Sequence, residues 1–166
     1  MQFPWAFRFT EENLEYLIRL RRAFHEFPMA VEMRHSSWLT DEALGALIDY
    51  RLGFVNIDQP QRTRATPPSA LVTSAVGCVR LHGRVDSYWT QEFNGSTAAK
   101  PNDYLYPLSE LHEWKARIDH ISAHTARTFV TFTNDAAGKS VINALQMANL
   151  LVRPVAKPSA PHSVAA

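Results

Sequence analysis

Three short apolar runs carry polar and charged side chains at every second position, a placement that proton transfer or anion binding could use. In "AVEMRH" Glu32 and Arg34 alternate with Val31 and Met33; in "FVNID" Asn56 and Asp58 alternate with Val55 and Ile57. In "CVRLH" Arg80 and His82 alternate with Val79 and Leu81. Successive side chains of a β-strand point to opposite faces, so each run has one apolar face and one polar face. Strands covered on both sides are expected to be apolar throughout, and these depart from that rule toward their C-terminal ends. Open α/β sheets and β/α barrels build their sites at those ends. A fourth run is milder: Thr131 and Thr133 oppose Val130 and Phe132, and Asn134 and Asp135 end it.

The residue types suggest a division of labour. Glu32, Asp58 and His82 would share acid–base work, Arg34 and Arg80 would clamp an anion, and Asn134 would orient the ligand. The same charges balance, so a structural ion-pair network is the rival reading. Against it stands the cost of desolvating each ion, which is several kcal/mol. Glu32, Asp58 and His82 also form a weak mixed oxygen/nitrogen set for a divalent metal, with the two arginines competing for the carboxylates. His35 lies one residue off the polar parity, at a strand end where the parity rule loosens. His25, His112, His120 and His124 fall on predicted helices without matching carboxylates and read as surface residues.

The elements that must position these groups follow from periodicity and caps. Thr10 precedes a helix "EENLEYLIRLRRAF", with Leu14, Leu17, Ile18 and Phe24 on one stripe and Glu11 and Glu12 in the first turn. Thr40 precedes "DEALGALIDY", with Leu44, Leu47 and Ile48 inward and Gly53 as the stop. Ser109 is the expected cap of a third helix with Leu111, Trp114, Ile118 and Ile121 on one face. A fourth helix carries Val141, Ile142, Leu145 and Ala148 and fades near Leu151. Strands are expected at 29–35, 53–58, 76–82 and 127–133. This alternation predicts parallel strands joined by crossover helices.

The last strand runs into "TNDAAGKS", which has the layout of a phosphate loop but not its chemistry. Five residues before Gly138 stands Thr133 rather than glycine, and Asp135 would repel a triphosphate, so no nucleotide loop is expected. The helix start that follows could still hold an anion, aided by Lys139.

Composition narrows the field. With 17 Lys+Arg against 16 Asp+Glu the net charge is +1, which supplies no global field for nucleic acid or anionic membrane. Cys78 is the single cysteine, excluding a disulfide framework and a cysteine-based zinc site. No apolar run is long enough to span a bilayer, and "MQFPWAFRFT" lacks the pattern of a signal peptide, so a cytoplasmic location is expected. Residues 59–75 read as a loop bearing Arg62 and Arg64. The stretch 83–107 is longer than an ordinary connection and holds Tyr88, Trp89, Phe93, Tyr104 and Tyr106. These aromatics either stack on a sugar or base, with Trp89 and Tyr104 as substrate contacts, or pack the loop down. Residues 1–152 form one expected domain; 153–166 have too few large apolar groups to pack and read as a disordered tail.

Taken together, "FPWAFRFTEENLEYL", "AVEMRHSSWLTDE", "LGFVNIDQPQ", "GCVRLHGR", "DYLYPLSELHEWKARI" and "FVTFTNDAAGKSVINALQMANLL" make the chain resemble the YecE-like family, also called domain of unknown function 72. The resemblance covers nearly all of residues 2–151 and implies a TIM barrel. It also implies that Glu32, Arg34, His35, Asp58, Arg80, His82 and Asn134 are the family's recurrent polar positions; Asp135 departs from the Asn or His often found there. It further implies that family members carry about four βα units before the point where this chain starts, out of the eight that close a barrel. The expectation is therefore a C-terminal half-barrel of about four strands with open edges. It would be an enzyme or enzyme remnant acting on a phosphate-containing anion, paired with a complementary half or with itself. The alternative is a non-catalytic module that binds nucleic acid or protein through the aromatic loop and its arginines.

Overall fold

The computed structural model describes residues 1–85 and 103–152. Among them helices α1 (Glu11–Ala23), α2 (Asp41–Asp49), α3 (Leu108–Ala123) and α4 (Lys139–Leu151) alternate with strands β1 (Met29–Val31), β2 (Leu52–Asp58), β3 (Val76–Leu81) and β4 (Arg127–Phe132). The strands are all parallel and lie side by side in chain order, β1-β2-β3-β4. The expected α/β class with crossover helices is what the chain adopts. Beside β1 the first residues extend the sheet: Gln2 bridges Glu32 in parallel, and Glu32 N–H donates to Met1 O at 2.9 Å. Between β2 and β3 the 59–75 loop is pinned to β2 by Thr73, whose hydroxyl donates to Leu52 O at 2.6 Å and accepts from Phe54 N at 2.8 Å.

Local signals account for most boundaries. Thr10 and Thr40 cap α1 and α2, each accepting from the backbone N–H three residues on at 3.2 Å. Two expected punctuation marks do not act. Pro107, not Ser109, is the residue at the N-cap of α3, with no side-chain hydrogen bond. Gly53 lies inside β2, and the chain leaves α2 through Arg51, a non-glycine residue with φ of 53°.

One face of the sheet is packed under helices. Leu17 of α1 and Ala43 and Leu47 of α2 join Met29, Val31, Leu52 and Phe54 in one buried cluster. Leu111, Trp114, Ile118 and Ile121 of α3, the stripe expected from sequence, bury against Val79 and Leu81 together with Met147 of α4. Burying each such side chain stabilises by about 1.5–3 kcal/mol. The close approach of α3 requires Gly77, where a Cβ would stand 2.5 Å from Ile121 Cγ2.

Three inward assignments are corrected. Phe24 and Ile48 are exposed. In α4 the expected stripe of Val141, Ile142, Leu145 and Ala148 is exposed, and Asn143 and Met147 face the core instead. Asn143 is bound to backbone beneath the helix, as described below. Tyr88, Trp89, Phe93 and the tail 153–166 lie outside the described residues.

Candidate active site

The strand registers decide which polar groups meet. Residues paired across parallel strands share a face, so Val31 with Phe54, Asn56 with Val79 and Val79 with Val130 define the helix-covered face. Asn56 and Asp58 therefore belong to the helix face. The opposite face carries Glu32 and Arg34 just past β1, Val55 and Ile57 of β2, Arg80 of β3 with His82 just past it, and Thr131 of β4 with Thr133 just past it. The expectation that Asp58 shares a row with Glu32 and His82 is thus wrong by one residue of parity. Both faces of β2 are buried along its whole length, so its hydrophobic pattern carries no information about which face turns where.

On the opposite face Glu32 is the centre. It is 1% exposed, and its carboxylate accepts from Arg34 Nε at 3.0 Å, Arg80 Nη1 at 2.5 Å and His82 Nε2 at 3.1 Å. Burial pushes its carboxyl pKa up, but the His82 hydrogen bond and the charges of Arg34 and Arg80 outweigh that and hold it at about 2. Glu32 is therefore held as an anion at neutral pH. Arg80 Nη1 also donates to Gln2 Oε1 at 2.8 Å, while its Nε and Nη2 hydrogens have no partner among the described residues. The arginine side chain is 26% exposed. The face opens progressively toward β4, where Phe129 and Thr131 are exposed. His82 completes the line, its Nδ1 lying 2.7 Å from Thr133 Oγ1.

Asp58 organises a second cluster under the helices. Gly83, with φ of 87°, reverses the side-chain alternation after β3, and Arg84 turns to the helix face. Arg84 Nε donates to both Asp58 oxygens at 3.2 and 3.0 Å, and Arg84 Nη1 donates to Glu110 of α3 at 2.8 Å. Burial opposes the guanidinium charge, yet Asp58 and Glu110 raise its pKa on balance. The Tyr104 hydroxyl donates to Glu110 at 2.8 Å, and burial together with that carboxylate pushes the phenol up to about 12. Tyr106 is buried beside Asp58 and its hydroxyl accepts from Gly83 N at 2.7 Å.

Other expected contacts have structural duties. His35 caps the 3₁₀ turn Ser36–Leu39, its Nδ1 accepting from Ser37 N at 3.1 Å, so Nε2 carries the ring proton. Burial, with Arg8 and Arg64 nearby, pushes its pKa down. Asn134 donates to Tyr104 O at 2.7 Å and to Asn143 Oδ1 at 2.8 Å, and Asn143 in turn clasps the backbone of Tyr106 through N–H and C=O, both at 3.0 Å. Asn134 thus ties β4 to the 104–106 segment and α4 through its amide N–H groups, while its buried Oδ1 has no partner among the described residues. Tyr104 packs edge-on against Tyr106 at 4.9 Å and is not a free stacking platform. Asn56 holds the loop through Leu71 and Ser69, and Lys139 forms an ion pair with Asp103. Among the described residues no three His, Cys, Asp or Glu side chains come together as a metal site, because Asp58 is on the other face.

Sequence reasoning missed Gln2, Arg84, Glu110, Asn143 and the pairing of Thr133. The signal for Arg84 was Gly83, a glycine directly after a strand; for Asn143 it was a lone amide inside an apolar-periodic helix.

Comparison with known proteins agrees with this architecture. The family described as "Protein of unknown function DUF72" matches residues 1–165, past residue 151 where the resemblance read from sequence motifs ends. The chain belongs to the DUF72 family. UPF0759 protein YunF of Bacillus subtilis is 27% identical over 157 residues, 90% of this chain and 56% of that protein. A DUF72 family protein of known structure from Thermotoga maritima is 32% identical with a TM-score of 0.82, covering 92% of this chain and 56% of the other. One from Enterococcus faecalis is 28% identical with a TM-score of 0.79, covering 92% and 60%. This DUF72 chain spans little more than half the length of these relatives. No helix among its described residues is long and apolar enough to cross a membrane.

Proposed function

We propose that this DUF72 chain forms part of a (β/α)8 barrel enzyme that acts on an anionic, phosphate-containing substrate at the face carrying Glu32, Arg80, His82 and Thr133. The observation that carries this reading is Glu32, a buried carboxylate held ionised by Arg34, Arg80 and His82 at the C-terminal ends of β1 and β3. Such a group fixes its partners at the cost of its own desolvation, which a purely apolar rim would avoid. Arg80 supplies the anion contact through its remaining N–H groups, and His82 supplies the base. Arg34, buried against Glu32, positions the carboxylate instead of clamping the ligand. The barrel reading draws on four parallel neighbours in chain order, an extra pairing at residues 1–3 and the greater length of the relatives. Phe129, Val141, Ile142 and Leu145, all exposed, would be covered by further strand–helix units.

Isothermal titration of the full chain with a panel of phosphate monoesters and diesters tests the site. Binding is expected, weakened at least tenfold in Arg80→Ala, the scale of one lost charge-assisted hydrogen bond at about 1.5–3 kcal/mol. Unchanged affinity in that variant, or no binding across the panel, would sink the reading.

A further inference from the structure

The line Glu32–His82–Thr133 joins three strands and has a direction set by its chemistry. Glu32, ionised, can only accept, so the hydrogen at 3.1 Å belongs to His82 Nε2. In the neutral ring Nδ1 then bears a lone pair, and the Thr133 hydroxyl 2.7 Å away must donate to it. The carboxylate fixes the orientation of the ring, and the ring is already in contact with the hydroxyl it would deprotonate. A carboxylate–imidazole–hydroxyl chain of this kind is recognised by geometry and roles, whatever the fold or chain order. Thr133 sits at the end of β4, half-buried, with its backbone N–H bound to Leu81 O at 2.9 Å and the free N–H groups of Arg80 on the same face.

We infer that Thr133 is a covalent nucleophile for phosphoester substrates, with His82 as its base and Glu32 as the group that orients the base. This rests on the phosphate reading above and deepens it. In the step, the Thr133 Oγ1–phosphorus bond forms as the phosphorus–leaving-group oxygen bond breaks. The hydroxyl proton passes to His82 Nδ1 and then to the departing alkoxide. Water, giving its proton to Nδ1, next attacks phosphorus; Oγ1 leaves, takes that proton back, and the hydroxyl is restored. Arg80 faces the phosphoryl oxygens throughout. No oxidant or metal is consumed.

The test treats the full chain with diethyl p-nitrophenyl phosphate and follows p-nitrophenolate release alongside the mass of the peptide containing Thr133. A burst of one equivalent is expected, with a diethylphosphoryl group on Thr133. Thr133→Val and His82→Asn should each slow labelling by about 10²–10⁴, the usual contribution of a general base or its substrate hydroxyl, while Thr133→Ser keeps it. Thermal melts confirm that the silent variants are folded. A folded wild-type chain that takes no label, or takes it elsewhere, overturns the inference. So does nitrogen NMR of His82 showing the neutral ring protonated on Nδ1, since Thr133 would then be the acceptor. The two readings separate cleanly: labelling failure with intact phosphate-ester titration removes Thr133 alone, whereas loss of both removes the phosphate site as well.

Discussion

Glu32 and Asp58 are both buried carboxylates at strand ends, each bound by arginine, and they serve opposite faces of one sheet. Asp58 is enclosed by Arg84, Glu110 of α3, Tyr104 and Tyr106, groups that also fasten the 104–106 segment to the helices. Glu32 is bound by Arg80 and His82, each of which has a second partner at the edge of the less covered face. The contrast shows that residue type and burial do not by themselves mark a site. What separates the clusters is whether the partners end in helix-packed structure or in donors turned toward open space. On the proposed reading Asp58, expected to be catalytic, serves as scaffold, and Glu32 organises the site.

The largest way to break this comparison is Glu32→Ala. It leaves Arg34, buried, and Arg80 without their shared anion, and urea unfolding should show a loss of about 3–5 kcal/mol. Asp58→Ala should cost less, about 1–3 kcal/mol, because Arg84 is 31% exposed, keeps Glu110 and can turn to water. Equal losses would erase the distinction.

Acid sharpens it further. The folded pKa of Glu32 lies at about 2, below the ordinary 4.5. Its contribution is therefore present above pH 4.5 and is lost as pH falls toward 2, on the order of 3 kcal/mol in all. In Glu32→Gln that part of the acid sensitivity should vanish; an unaltered acid profile would contradict the ionised, clasped carboxylate. The smallest effect belongs to the enclosed cluster. Tyr104→Phe removes one hydroxyl from a Glu110 that keeps Arg84, and should cost about 1 kcal/mol or less. In the wild type two tyrosines should resist ionisation by ultraviolet titration, Tyr104 up to about pH 12 and the more deeply buried Tyr106 beyond it, and only the Tyr104 step should leave with the substitution.

Much of the fold was legible in the chain because helix caps and strand runs are local signals. Thr10, Thr40 and the Leu111–Ile121 stripe act as their spacing predicts. The site was half legible. Glu32, Arg80 and His82 meet, but the register of β2 against β1 is a property of pairing, and the alternation within "FVNID" cannot say which face Asp58 takes. Gly83 then moved Arg84 off the row that "RLHGR" suggests. In α4 apolar periodicity pointed to Val141, Ile142 and Leu145, which are exposed, whereas Asn143 faces inward and binds the backbone of Tyr106. Long-range hydrogen bonds of that kind leave almost no mark on sequence.

The most direct test of the central claim is side-chain and backbone NMR of the full chain during titration with phenyl phosphate. Resonances of Arg80, His82 and Thr133 should move together and saturate, while those of Arg84 and Tyr104 stay in place. Movement at Arg84 and Tyr104 with a silent Arg80–His82–Thr133 group would put the site on the wrong face of the sheet.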